Sequence, residues 1–153
     1  MNTWGRVPVR LNIDKRFTGL DGDPQRMWLY LLTSVETTFL PGVIVADLPD
    51  LANNLRTSGK RWSEDRVLAA LAPLEVLGVV RTDWDAGLLW LPDSWELGAP
   101  PAANIAKYWA IPWAAIPDCG LKAEIWKAFD EFATQAGKQH SAAFRFSCPD
   151  LGE

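Results

Sequence analysis

Residues 41–92 read PGVIVADLPDLANNLRTSGKRWSEDRVLAALAPLEVLGVVRTDWDAGLLWLP, and the order of elements in that stretch decides the fold. Pro41-Gly42 is a turn signal, and Val43-Ile44-Val45 is a β-branched run of strand type. Asp47 can cap a helix from Leu48 to Leu55, with Pro49 in its first turn and Leu48, Leu51, Ala52 and Leu55 on one face. Arg56 to Trp62 connects onward through the breaker Ser58-Gly59. Ser63 caps a third helix, Glu64 to Leu77, whose first turn carries Glu64 and Asp65, where the helix dipole favours acids. Val67, Leu68, Leu71, Leu74 and Leu77 form its apolar stripe, and Gly78 ends it as a left-handed cap. Val79 to Thr82 and Leu88 to Leu91 are strands, joined by the hairpin Asp83-Trp84-Asp85-Ala86-Gly87.

Upstream, Asp23-Pro24 reads as N-cap and first helical residue of a helix that runs to Ser34. Met27 to Leu32 are apolar almost all round, so neighbours bury this helix on more than one side. In residues 1–16, Val7, Val9, Leu11 and Ile13 alternate with Arg6, Pro8, Arg10, Asn12 and Asp14. That period predicts an extended arm or an edge strand, with Pro8 favouring the edge. Downstream, Ala99-Pro100-Pro101 marks a boundary, Ala103 to Trp109 reads as a short helix stopped near Pro112, and Leu121 to Phe132 is strongly amphipathic. Residues 137–153 lack helical period, and Ala143 to Phe146 is expected to be extended. The fold class is α+β, mainly α. A winged helix-turn-helix with an N-terminal arm occupies 1–97, a helical extension 98–136 and a tail 137–153.

Composition narrows the function. The 153-residue chain is 48% hydrophobic and 22% charged, ordinary for a soluble globular protein. Cys119 and Cys148 are expected to be free thiols in a reducing cytoplasm, because no secretory h-region precedes them. One histidine, His140, and two scattered cysteines cannot build a structural zinc site. There is no P-loop, no histidine-based triad and no apolar run near the ~20 residues of a membrane span. Neither an enzyme nor a cofactor is expected. The net charge is −4, with ten Lys and Arg against thirteen Asp and Glu in residues 1–97. A domain that relied on phosphate neutralisation alone would be basic, so any contact with DNA must come from a local patch. The nine tryptophans either fill the core or, in one or two cases, form an exposed contact surface.

Several segments carry a family likeness. MWLYLLTSVET (27–37) looks like a long first helix ending in a Leu-Leu-Thr-Ser corner, and LPGVIVADLPDLANNL (40–55) like the strand and second helix after it. SEDRVLAALAPLEVLGVV (63–80) carries a Leu-x-x-Leu-Glu-x-x-Gly run. DAGLLWLPDSW (85–95) looks like a wing and exit strand, and residues 100–129 like a helical segment that follows. Together they resemble the N-terminal domain of phage replisome-organiser and replication-initiator proteins, the DnaD-like winged-helix group. The resemblance implies origin-DNA binding or replisome loading on a mobile element. The chain departs from the pattern in its acidic wing, Asp83 and Asp85, and in Pro73 within the third helix.

The candidate contacts follow from the fold. Arg56, Lys60, Arg61 and Arg66 surround the start of the third helix, where phosphates and major-groove edges lie in a helix-turn-helix complex. The plainer alternative is a solvated turn with Arg66 paired to a carboxylate. Arg10 and Arg16 are the arm's candidates, for minor groove or backbone, against a strand that merely completes a sheet. Trp84 either stacks on DNA from the wing tip or folds back onto its hairpin. Trp126 and Phe129, with Ile125 and Phe132, form either core or a dimer seam. The expected function is a DNA-binding winged helix of a phage or mobile element, acting on double-stranded DNA in replication initiation or transcription control. The alternative is a winged helix that docks or inhibits a host or phage protein without DNA. Net acidity, the acidic wing and the small residues Ala69, Ala70 and Pro73 favour it.

Overall fold

The computed structural model describes residues 7–34, 36–95 and 108–150. Helices α1 (Lys15–Thr18) and α2 (Gly22–Thr33) lead to strand β1 (Val43–Val45) and helix α3 (Leu48–Asn54). A two-stranded hairpin, β2 (Arg56–Thr57) and β3 (Lys60–Arg61), precedes helix α4 (Glu64–Val76) and strands β4 (Arg81–Asp83) and β5 (Leu88–Trp90). Helices α5 (Ala110–Ala115), α6 (Gly120–Ala136) and α7 (Lys138–Ser147) follow. The class is α+β, mainly helical with small antiparallel sheets.

The caps read from sequence form as hydrogen bonds. The Asp47 carboxylate accepts from the Asp50 N–H at 2.9 Å, and Asp50 accepts from the Asp47 N–H at 3.0 Å, a reciprocal box that starts α3. Ser63 Oγ accepts from the Arg66 N–H at 3.1 Å to start α4. Gly78 ends α4 at φ 73°, where a side chain would be strained. Pro73 lies inside α4 without stopping it. The carbonyl it leaves without a donor belongs to Ala69, an exposed residue, so water can take the vacant bond.

The larger sheet has the order β1-β5-β4, with Ile44 opposite Leu89 and Val43 opposite Trp90. Both of its faces are covered. Ile44 and Leu89 point into one core with Met27, Leu31, Leu51, Leu71 and Leu74. Val43, Leu88 and Trp90 point into a second core with Trp109, Trp113, Ile125, Phe129 and Phe144. All three residues of β5 are therefore buried, which explains an unbroken apolar run where a half-exposed strand would alternate. Leu31, Leu51, Leu71 and Trp90 are expected to be buried together; all four are buried, but the leucines share one core and Trp90 lies in the other, across the sheet. Arg81 adds an ion pair to Glu124 at 3.1 Å, tying β4 to α6.

Four expectations are corrected. Residues 8–14 are not an extended strand. Leu11 N–H donates to the Pro8 carbonyl and Ile13 N–H to that of Arg10, both at 3.1 Å, so the chain coils into a 3-10 turn over Leu11–Ile13. Only Leu11 is buried there, while Val9 is fully exposed. Helix α2 begins at Gly22, with Asp21 at its N-cap and Asp23 in the first turn. Pro112 lies in the first turn of α5, where a proline is tolerated, and does not stop a helix. Residues Lys138–Ser147, expected to be irregular or extended, form α7, because Phe144 and Ser147 bury one side against α6. The break at 99–101, residues 103–107 of the expected short helix, and Arg6 lie outside the described residues.

Two buried acids give a pH dependence. Burial pushes the Cys148 thiol up to about 12 from an ordinary 9.0. Burial and the hydrogen bond to Glu36 push the Tyr30 phenol up to about 12 from 10.0. Both groups hold their protons more tightly folded than unfolded, so their stabilisation is complete below pH 9 and declines as pH rises through about 9 to 12. Denaturant titrations across that range should show stability falling, and Tyr30→Phe should remove part of the slope. An unchanged slope in Tyr30→Phe would contradict the assignment.

Candidate nucleic-acid interface

The connection between α3 and α4 is itself a small sheet. Arg56 pairs with Arg61 and Thr57 with Lys60 across β2 and β3. Ser58 and Gly59 make the turn at φ 53° and φ 77°, two consecutive left-handed residues of the kind a tight two-residue hairpin needs. The hairpin is fastened at its base by Trp62. Its backbone N–H donates to the Leu55 carbonyl at 2.9 Å, and its indole N–H donates to Thr57 Oγ1 at 2.8 Å. Trp62 is 3% exposed, so the basic strands stand on a rigid base.

The electrostatics of this hairpin are unusual. Like charges directly opposite on antiparallel strands repel, yet Arg56 faces Arg61 and Lys60 sits beside them, all exposed. Among the described residues none of the three forms an ion pair; Arg61 instead donates to Asn53 Oδ1 at 2.6 Å and Arg56 to the Gly59 carbonyl at 3.4 Å. Neutral partners orient these two guanidinium groups, and the one acid that lines the same groove as Lys60 and Arg61, Glu64, forms no ion pair to either. A shallow groove of about 700 Å³, lined by Asn53, Lys60, Arg61 and Ser63 among others, runs between the hairpin and α3.

The other candidate cations are held elsewhere. Arg66 donates to both oxygens of Asp23, at 2.7 and 2.8 Å, and its guanidinium lies 4.2 Å from the centroid of the Trp62 ring. Asp23 is its first partner and lowers in pKa accordingly, while Arg66 rises. Arg66 therefore takes the alternative of pairing with a carboxylate and clamps α4 to α2. Arg16 pairs with Asp14 at 3.0 Å and Asp93 at 2.7 Å, and stacks over Trp28. Its charge is balanced within the fold. Arg10 is exposed and lines a cavity of about 830 Å³ with Arg16, Asp93 and Trp28.

The aromatic candidates lie inward. Trp84 is partly buried and packs back on the first core. Trp126 is partly buried, with its indole N–H donating to the Cys148 carbonyl at 2.7 Å. Phe129 is 1% exposed and touches the rings of Trp95, Trp109 and Phe144. It belongs to the intramolecular core, because α7, formed by residues expected to be irregular or extended, supplies the cover that a second copy would otherwise provide.

Two residues that shape the site carry no interface signal in the sequence. Asn53 orients Arg61, and Asp23, which reads as a cap, neutralises Arg66. The turn at Ser58-Gly59 is legible as a breaker, but the two short strands that flank it are a correction to the expected plain connecting turn.

Comparisons with family models, with curated proteins and with solved structures find no match to the chain. Among the described residues no helix is long and apolar enough to cross a membrane.

Proposed function

We propose that residues 17–92 form a winged helix-turn-helix and that the protein binds double-stranded DNA through the β2–β3 hairpin. The order α2, β1, α3, α4, β4, β5, with β1 pairing to β5, supports the winged-helix reading. The observation that carries DNA binding is the hairpin's three exposed cations: Arg56 and Arg61, held by neutral partners and facing each other across the strands, with Lys60 beside them. Such repulsion is relieved by an anion, and a row of phosphates supplies it. The resemblance to phage replication initiators suggests where the DNA binding is used: replication initiation or transcription control on a mobile element, in the cytoplasm.

Sequence-independent binding at low salt, titrated with a labelled duplex, is the test; no binding there would overturn the reading. A sharper check uses Asp23→Ala. That change frees the Arg66 guanidinium and removes a negative charge next to it. The log-log salt slope of DNA binding should steepen by at most about one. A slope identical to that of the unaltered protein would show that Arg66 stays out of reach even when released.

A second reading has its own support. Of the small residues Ala69, Ala70 and Pro73, Ala70 is buried; the exposed side of α4 instead carries Leu68, Ala69, Ala72 and Val76, with the acids Glu64, Asp65 and Glu75 exposed beside them. A winged helix that docks a host or phage protein would present such a surface, since the cores of protein interfaces are depleted of charge.

A further inference from the structure

The cavity of about 830 Å³ lies away from the hairpin, lined by the turn ahead of α1, by α2, by the turn that follows β5 and by α6. Its size is that of a small-molecule site. The buried Trp28 and Leu32 of α2 line it, as do the half-buried rings of Trp95 and Phe132, which stack on each other at 5.1 Å. Ser94 also lines it. That residue is 7% exposed, and among the described residues its hydroxyl makes no hydrogen bond. The one buried side-chain polar atom there that is cut off from partner and solvent alike is Trp90 Nε1, so the Ser94 hydroxyl is open to the cavity. A hydroxyl this deep is costly to leave unbonded, and an occupant of the cavity can supply the bond. Four charged side chains line the space, two of each sign. Arg16 is spent on Asp14 and Asp93, whereas Arg10 forms no ion pair among the described residues. A multiply charged anion would find one free cation and two carboxylates here; a ligand with a single negative charge meets Arg10 and needs no more. Aromatic rings pair with other rings by stacked or edge contacts, so the half-open rings of Trp95 and Phe132 favour a planar ring over an aliphatic chain.

We infer that this cavity is a binding site for a small planar aromatic monoanion, an aryl carboxylate, with Arg10 holding its charge and the Ser94 hydroxyl giving it a further hydrogen bond. The site shares no lining residue with the groove beside the β2–β3 hairpin and stands whether or not the hairpin binds DNA. The experiment is a calorimetric titration of the full chain with naphthoate, with its uncharged amide naphthamide, and with decanoate, an aliphatic monoanion. Naphthoate should bind, and the other two should bind roughly tenfold or more weakly, since a hydrogen bond to a charged group outweighs a neutral one. Arg10→Ala should weaken naphthoate by roughly tenfold and bring naphthoate and naphthamide level. Ser94→Ala should weaken naphthoate by about fivefold. Neither change should lower the melting temperature, because Arg10 is exposed and the Ser94 hydroxyl has no partner in the fold. Absence of naphthoate binding at millimolar concentration would overturn the inference. So would naphthamide or decanoate binding as tightly as naphthoate, or an affinity unchanged in both variants. A melting temperature lowered by Ser94→Ala would show that the hydroxyl is bonded within the fold and would overturn its part in the site.

Discussion

Phe129→Ala should destabilise the protein by ~3–5 kcal/mol, the range for truncating a buried aromatic ring. The side chain is 1% exposed and sits among Trp95, Trp109 and Phe144 at centroid distances of 5.0, 5.7 and 6.3 Å. The same core takes in Val43, Leu88 and Trp90 from the sheet, so the cavity is felt in β1 and β5 as well as in α6. Because one sheet serves both cores, the loss should lower a single unfolding transition. Thermal and urea melts followed by tryptophan fluorescence and by circular dichroism would measure it. Coincident curves with a lowered midpoint are expected. A first transition confined to α5–α7, with the rest melting at the unaltered temperature, would show that the C-terminal helices are an independent appendage. Phe146→Ala is the control: that ring is 89% exposed and its loss should change stability by less than ~0.5 kcal/mol.

The sequence is most legible where local signals are strong. Asp47 and Ser63 form the caps their residue types favour, Gly78 takes the left-handed turn, and the β-branched run Val43–Val45 is a strand. It is least legible where burial is decided by distant partners. The alternation of Val7, Val9, Leu11 and Ile13 is that of a strand, but Val9 and Ile13 stay exposed among the described residues, and local turn bonds win. Lys138–Ser147 has few apolar residues and is a helix because Phe144 reaches the core beside Phe129 and Trp126. At the candidate interface, the basic residues of the turn are evident in the sequence. Their sorting into a hairpin without ion pairs and a clamped Arg66 is not, because it depends on Asp23, 43 positions away.

That sorting sets the second large effect. Replacing Arg56, Lys60 and Arg61 together by alanine should weaken duplex binding by roughly tenfold for each phosphate no longer neutralised, at an ionic strength of ~0.1 M. The change should act alike on all sequences, since phosphate contacts carry no base information. It should not unfold the protein, because the three side chains are exposed and the hairpin's fastening runs through Trp62 and Thr57. Removing a like-charge pair across β2 and β3 should leave stability equal or slightly higher. Variants of Arg16, already neutralised by Asp14 and Asp93, should alter DNA binding far less.

Duplex binding by the hairpin is tested most directly by the slope of log affinity against log salt for the unaltered protein and the triple alanine variant. Three phosphate contacts correspond to a slope of about −2.7, and the triple variant should be nearly flat and much weaker. A protein that binds no duplex at low salt, or one whose slope is the same with and without the three cations, would contradict DNA binding by this hairpin.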